Sequence, residues 1–339
     1  MTAFFGAMLN ASGRFFYFAF TPIIFNLCII VSCFYINDAL KIKSLPLAIA
    51  MPISGFIQLC FIYYFVKKFN IITKVFYKIS NLKQNNFNKF KNNTSDTLKR
   101  FFPAVLSGGV FQINILVDTI LATIVGFGAV SFLYYSDRIA QLPLGIIGVA
   151  LGTALLPSLS KLETEKKDTL VKHHLEKSFV LGCIFSIPAS ISFLIIPEIL
   201  IEAIFARGAF IESHVKNVAL ALTAYGLGVP AFIGIKVFQS SFFAMRDTST
   251  PYKISLFSVA LNIILSVVLM RNFGFFGIAL ATSITSYFTL SIYYFLLIKI
   301  DRISFNVLNQ FLKLILLGLV FAIVLFQIPS FFVKLNIIL

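Results

Sequence analysis

The sequence predicts an all-α protein that crosses a membrane many times. Of its 339 residues, 59% are hydrophobic and only 12% are charged, whereas about a quarter of a soluble domain is charged. Apolar stretches of about 20 residues, the length that a membrane-spanning helix needs, recur along the chain. Strands of a membrane β-barrel would instead alternate apolar and polar residues over about ten positions. These observations predict a polytopic helical membrane protein and exclude a soluble globular fold.

About nine membrane-spanning helices are predicted from the apolar stretches. The segments between them are short except for 67–100 and 159–177. In chain order the predicted spans are 18–36, 45–66, 101–126, 129–158, 178–204, 217–244, 254–271, 275–298 and 308–328.

The basic residues predict the orientation. With the N-terminus in the cytoplasm, 20 of the 28 Lys and Arg residues fall on the cytoplasmic side and six in outer loops. Cytoplasmic loops of membrane proteins carry such an excess. Segment 67–100 interleaves nine of these residues with Phe, Tyr and Ile, which favours contact with anionic membrane lipids over RNA binding. The net charge of +15 therefore does not indicate a nucleic-acid partner.

The cysteines, the histidines and the motif content give no support to enzymatic or metal chemistry. No GxSxG, HExxH or P-loop motif occurs in the sequence. The four cysteines lie in apolar stretches without a CxxC pattern, and the three histidines lie in predicted loops. We therefore expect no catalytic residue, no cofactor and no metal. The residues concerned are Cys28, Cys33, Cys60, Cys183, His173, His174 and His214.

Two charged residues, Asp137 and Arg138, lie inside the fourth predicted span. A charge at the centre of a membrane helix costs roughly 2.5–3.5 kcal/mol on insertion scales and usually faces a bundle interior or a water-filled path. The four-residue helical spacing places Gln141 on the face of Asp137 and Tyr134 on the face of Arg138. We predict that these four residues face a cavity and meet a charged substrate. The alternative is a structural ion pair with another helix.

Three further residues are candidates for a role. Pro143 removes a backbone hydrogen bond and should bend the fourth span. Asp118, inside the third span, is either an ion-coupling residue or a buried hydrogen-bonding residue. Arg246 begins a tight loop and is a candidate gate; the alternative is an ordinary turn, in which Ser or Thr caps the next helix and Pro251 lies in its first turn.

Four sequence blocks carry a family resemblance. The block YYSDRIAQLPLGIIGVALGTALLPSLSK, residues 134–161, closely resembles the signature helix of the MurJ (MviN) family of bacterial lipid II flippases. Supporting matches are LNASGRFFYFAFTPIIFNL (9–27), TILATIVGFGAVSFLYY (119–135) and KVFQSSFFAMRDTSTPYKI (236–254). The order and spacing of the blocks also fit this family, which belongs to the multidrug/oligosaccharidyl-lipid/polysaccharide exporter superfamily.

This resemblance implies an exporter-superfamily architecture, in which two six-helix lobes surround a cavity and two further helices form a groove for a lipid tail. By this likeness, 1–66 would be the last two helices of the N-terminal lobe, and 67–100 a basic cytoplasmic amphipathic loop. Residues 101–300 would be the C-terminal lobe, and 301–339 the start of the groove helices. The other N-terminal helices would lie outside this chain, so a second chain could supply them.

The resemblance further implies a flippase that moves lipid II across the inner membrane for peptidoglycan synthesis. Arg138 would match a cavity arginine of the family, whereas Gln141 stands where many relatives have Glu. Partners would be lipid II, an undecaprenyl-pyrophosphate-linked disaccharide-pentapeptide, and membrane lipids. The alternatives are an exporter of another polyprenyl-linked glycan or a drug, and a non-transporting membrane remnant or scaffold.

Overall fold

A computed structural model describes residues 1–34, 45–71, 109, 112–208 and 210–334. Within these ranges the regular secondary structure is helical and contains no strand, which confirms the all-α prediction. The chain divides into two units, Met1–Asp96 and Thr97–Leu339. The described residues include six helices long and apolar enough to cross a membrane: Phe16–Phe34, Leu45–Lys68, Asp168–Ile195, Glu212–Ala244, Ser249–Lys299 and Asn306–Gln327.

The smaller unit packs its helices around a small apolar and aromatic core. Leu9, Ile62 and Val66 are fully buried there. The ring of Tyr17 stacks on that of Phe65, with their centroids 4.1 Å apart. The helices of this unit are α1 (Thr2–Ala11), α2 (Phe15–Ala19), α3 (Thr21–Phe34) and α4 (Leu45–Lys68).

The larger unit is built around one long buried helix, α10. In its most apolar 18-residue window, 72% of the residues are buried inside the protein, and α10 packs against α6, α8 and α11. A π-helical turn, Leu144–Gly148, separates α6 from α7. The helices are α5 (Gln112–Val125), α6 (Ala129–Pro143), α7 (Val149–Thr164), α8 (Asp168–Ile195), α9 (Pro197–Phe205), α10 (Glu212–Ala244), α11 (Ser249–Lys299) and α12 (Asn306–Lys334).

Helix α11 contains two antiparallel halves that reverse at Gly274. This glycine has φ 58° and ψ −138°, a conformation that side chains disfavour. The Thr289 hydroxyl donates a hydrogen bond to the Ser258 hydroxyl at 2.9 Å, which joins the two halves. The reversal lies between the predicted spans 254–271 and 275–298, so the prediction of two spans here agrees with the structure.

The predicted span 178–204 and the predicted loop 159–177 were wrong in their boundaries. Helix α8 begins at Asp168 and ends at Ile195, and the turn before it covers only Glu165–Lys167. Hydropathy detects only the part of a helix that lies in the membrane, so the charged first turns of α8 were assigned to the loop. At the other end Pro197 disfavours helical backbone at Ile196, which has ψ 40°, and a short helix starts afresh.

The cap of α11 also differs from the expected Ser or Thr cap. The Asp247 carboxylate accepts hydrogen bonds from the backbone N–H groups of Ser249 and Thr250, both at 3.0 Å. Burial raises the pKa of Asp247, but a hydrogen bond from the Thr250 side chain, the two backbone hydrogen bonds and the charge of Lys253 outweigh it and leave the pKa below its usual value. Asp247 therefore caps this helix as an ionised carboxylate.

Some predictions fall on residues outside the described ranges. Of the predicted basic loop 67–100, only 67–71 are described, and of the predicted span 101–126 only 109 and 112–126. The predicted division at 66, 100 and 300 stays a prediction.

Candidate functional site: a polar face on a membrane helix

Helix α6 has one buried side and one side that the described residues leave open. The open side carries Tyr134, Asp137, Arg138 and Gln141, which are exposed or half-buried. The Arg138 side chain is 54% exposed and that of Asp137 34%. The buried side consists of Leu133, Ser136, Ile139, Ala140 and Pro143. Packing of small and apolar residues against the bundle thus turns the predicted polar set away from the core.

The four predicted polar residues contact one another. The guanidinium carbon of Arg138 lies 4.8 Å from the centre of the Tyr134 ring. Its Nη2 atom is 4.0 Å from Asp137 Oδ2, and the Gln141 amide donates a hydrogen bond to the same oxygen. Among the described residues, Arg138 forms its ion pair with Asp137, the preceding residue of the same helix. Because a guanidinium carries five N–H donors, Arg138 keeps donors available for an anionic ligand.

A π-helical turn follows Pro143 directly. Pro143 has no backbone N–H to donate, and Leu144 donates instead to the Gln141 carbonyl. The turn ends at Gly148, where an added Cβ would lie 3.6 Å from Cγ1 of Ile233 on α10. Isolated π-helical turns of this kind are frequent at functional sites. The helix that carries Arg138 therefore changes its geometry one turn beyond the polar face.

Asp118 lies in a second polar cluster, formed by α5 and the two halves of α11. Its Oδ2 accepts a hydrogen bond from the Asn114 amide at 3.2 Å, and its Oδ1 accepts one from the Ser266 hydroxyl at 3.4 Å. The Asn262 side-chain amide can face in two directions. In the direction that satisfies the hydrogen-bonding groups around it, its nitrogen donates to Asp118 Oδ1, at 3.1 Å, and its oxygen accepts from the Thr282 hydroxyl, at 3.2 Å.

This Asp118 cluster contains a carboxylate held by neutral groups. Asn262 and Ser266 are 3% and 0% exposed. In the described parts of the chain, the hydrogen-bond partners of Asp118 are amides and a hydroxyl. A carboxylate in such a setting can take up a proton, or it can hold a small cation together with the amide and hydroxyl oxygens. The arrangement fits both readings of Asp118 made from the sequence.

Arg246 lies at the turn after α10. Its backbone has φ 60°, and the N–H groups of Arg246 and Asp247 donate to the carbonyls of Phe243 and Phe242, which closes the end of the helix. The side chain is exposed. This geometry is that of an ordinary helix C-terminus, and a gating role for the side chain stays a prediction.

Sequence reasoning missed the residues around Asp118. Asn262 lies in the apolar stretch SLFSVALNIILSVV, and an amide at such a position is itself a signal of a buried polar contact. Asp118 and Ser266, however, are 148 residues apart, and no local pattern shows that they meet.

The helices define the class of this protein: a multi-pass helical membrane protein. A solved structure of a MATE transporter from Vibrio cholerae superposes with a TM-score of 0.63 over 89% of this chain and 66% of that chain, at 14% identity, which shows the fold alone.

The family follows from sequence. A family model described as "Lipid II flippase MurJ" matches residues 1–337, and the chain belongs to this family. A "Probable lipid II flippase MurJ" of Rickettsia prowazekii is 32% identical over 297 residues, 87% of this chain and 56% of that protein. Its counterpart in Vibrio cholerae is 29% identical over 85% of this chain and 53% of that protein.

A solved structure gives the same family. "Lipid II flippase MurJ, inward closed conformation" superposes with a TM-score of 0.73 at 27% identity and covers 95% of this chain and 64% of that chain. The chain thus spans about half the length of the curated relatives cited.

Proposed function

We propose that this chain acts in the flipping of lipid II from the cytoplasmic to the periplasmic leaflet, by alternating access and without covalent chemistry. The observation that carries the proposal is Arg138, a half-exposed cation on a helix that packs against the membrane-length helix α10. Family membership supports the substrate, because the curated relatives cited are named as probable lipid II flippases.

The head group of lipid II presents the chemistry that Arg138 is suited to bind. Its pyrophosphate and its polar disaccharide-peptide must cross about 30 Å of hydrocarbon. A planar guanidinium can give a phosphate two parallel charge-assisted hydrogen bonds, which an ammonium group cannot do in the same fixed geometry. Tyr134 supports one face of the guanidinium at 4.8 Å. The polyprenyl tail can remain in lipid while the head group passes along the open side of α6.

Asp137 and Gln141 complete the proposed head-group contacts. The Asp137 carboxylate, 4.0 Å from Arg138, offsets part of its charge, so that the site binds a pyrophosphate without holding it too tightly for release. Gln141 donates to this carboxylate and offers a neutral amide to the sugar or peptide hydroxyls. The π-helical turn after Pro143 supplies the place where α6 can change direction between the two access states.

Asp118 is the proposed ion-coupling residue. Loading of a proton or a small cation onto the Asp118 cluster would change the charge between α5 and the two halves of α11. Since both halves of α11 contact the cluster, through Ser266 and Thr282, such a change can alter how these helices pack.

The setting of the proposed activity is the bacterial inner membrane, with a cytoplasmic N-terminus. The excess of Lys and Arg in the predicted cytoplasmic segments supports this orientation. Membrane lipids are partners by the nature of the fold. We further propose that a second chain or further sequence supplies the remaining helices of the family architecture, because the chain covers 56% of its Rickettsia relative.

The experiment is complementation of a bacterium depleted of its own MurJ by the gene that encodes this chain, with lipid II measured in each leaflet. Arg138→Ala should lower flipping on the order of 10- to 100-fold, since a hydrogen bond to a charged group contributes about 1.5–3 kcal/mol. Arg138→Lys should recover only part of the flipping rate, because an ammonium group lacks the planar arrangement of N–H donors that a guanidinium has. Arg271→Ala, at an exposed arginine elsewhere, is the matched control and should behave as the parent.

Three results would contradict the proposal. One is normal growth with Arg138→Ala. Another is a parent that is correctly inserted together with any partner chain and still fails to move lipid II. The third is the accumulation of a different polyprenyl-linked glycan on depletion, which would assign the chain to another exporter function.

A further inference from the structure

The N-terminal half of α6 is held by aromatic rings from three other helices and from the segment between two of them. Its Phe132 ring lies 5.5 Å from Phe275 and 6.1 Å from His214. One turn later, Tyr135 lies 5.0 Å from Phe205 and 5.6 Å from Phe210, edge-on in both cases. We call this set the aromatic clamp: Phe132, Tyr135, Phe205, Phe210, His214 and Phe275.

Phe210 is the ring that joins the clamp together. It contacts Tyr135 of α6, Phe205 at the end of α9, at 5.9 Å, and His214 in the first turn of α10, at 5.6 Å. It is half-buried and packs against the larger unit's core. Its backbone N–H donates to the Arg207 carbonyl at 3.3 Å, which folds the segment between α9 and α10 back on itself. Phe210 therefore fixes α6 to two other helices at once.

Within the described part of the chain, the opposite end of α6 has no such ring contacts. After Pro143 the chain enters the π-helical turn Leu144–Gly148. The polar face with Arg138 lies between this irregular turn and the clamped half. Tyr135 precedes Arg138 by three residues, so less than one turn of helix separates the clamped ring from the functional guanidinium. A rotation of α6 about its axis would carry Tyr135 and Arg138 together.

From this arrangement we propose that Phe210 is a positioning residue for Arg138: by packing on Tyr135 it acts together with the buried side of α6 to set the rotation of this helix and thereby the direction in which the polar face points. The inference rests on the proposed function in one respect only, namely that a change in the direction of the polar face would change lipid II flipping. The geometric part, that loss of the Phe210 ring changes the exposure of the polar face, can be tested without any transport.

The test compares Phe210→Ala, Phe210→Leu and Phe210→Tyr in the full chain, in membranes. The reporter is the substitution Gln141→Cys, made after the four native cysteines are replaced, and the readout is the rate at which a charged reagent modifies the new thiol. We expect Phe210→Ala and Phe210→Leu to change this rate about fivefold, since each removes several favourable ring pairs. Phe210→Tyr keeps the ring and should restore the parental rate. Phe273→Ala, which removes an exposed ring whose recorded partner is Phe276, should leave the rate unchanged.

A purely structural role for Phe210 gives a different result. The amount of folded protein would fall with Phe210→Ala, while the cysteine at 141 in the folded fraction would react as in the parent; that result overturns the inference. Phe210→Leu, which keeps an apolar side chain, decides the question if Phe210→Ala does not fold. If the modification rates change as expected but the parent does not flip lipid II, the proposed function fails and the positioning role stands.

Discussion

The Arg302 guanidinium lies 2.9 Å from a carboxylate oxygen of Glu163, and both side chains are almost buried, at 16% and 15% exposure. A second guanidinium nitrogen lies 2.6 Å from Asp168. Arg302 lies in the linker before α12, whereas Glu163 lies in the last turn of α7 and Asp168 begins α8. One arginine thus fixes the entry of the last described helix to the turn between two others.

Arg302→Ala should destabilise the protein by about 3 kcal/mol, because removal of one partner of a buried ion pair leaves the other charge buried and unpaired. The measurement is thermal unfolding of the detergent-purified chain. The matched control is Lys167→Ala. Lys167 pairs with Glu165 at 2.7 Å but both side chains are well exposed, so the change should cost less than about 1 kcal/mol. Equal effects of the two substitutions would contradict the prediction.

The neighbouring pair of Lys172 and Asp301, 2.6 Å apart, should lose its coupling at low pH. The hydrogen bond from Lys172, and next its positive charge, hold the pKa of Asp301 below its usual value. A lowered pKa stabilises the fold above the usual value of about 3.9 and loses this contribution as the pH falls through the native pKa. A double-mutant cycle of Lys172→Ala and Asp301→Ala, read by thermal unfolding, should show coupling at neutral pH and little at acid pH. Coupling that increases on acidification would show that another group is responsible.

Gly277→Ala should destabilise the α11 hairpin by about 1–3 kcal/mol, since an added methyl group overpacks the site. A Cβ there would lie 2.4 Å from the backbone oxygen of Leu269, and backbone cannot move aside as a side chain can. Gly55→Ala is the control, because a Cβ at Gly55 meets no described atom within 4 Å. It should be neutral or stabilising. The measurement is thermal unfolding of both variants. If Gly277→Ala is as stable as the parent, the two halves of α11 can separate enough to accommodate the methyl group.

The sequence was sufficient for the features that depend on one helix at a time. Hydropathy located the membrane-length helices, and helical spacing placed Tyr134, Asp137, Arg138 and Gln141 on one side of α6. Prediction from the sequence failed where the charge of a segment indicated a loop although the segment is helical. Residues 168–177, which are rich in charge, were assigned to a loop, although charge outside the membrane does not prevent a helix from forming, and α8 begins at Asp168.

Contacts between distant parts of the chain were not predictable. The aromatic clamp, the Arg302–Glu163 pair and the partners of Asp118 each join residues that are far apart in sequence. Their side-chain types are ordinary for a helix end or an apolar span, so no local pattern distinguishes them. The packing of the helices against one another determines which of these residues meet.

Asp118→Asn should abolish the response of flipping to an imposed ion gradient while it changes stability by only about 1 kcal/mol. The amide oxygen can still accept the Ser266 hydroxyl, which now lies 3.4 Å from Asp118, but an amide can neither ionise nor neutralise a cation. The measurement is lipid II flipping in vesicles under a proton or a sodium gradient, with thermal unfolding in parallel. Thr119→Ala, at an exposed hydroxyl that bonds to its own helix, is the control. A variant that still responds to either gradient as the parent does would show that Asp118 is a structural hydrogen-bonding residue.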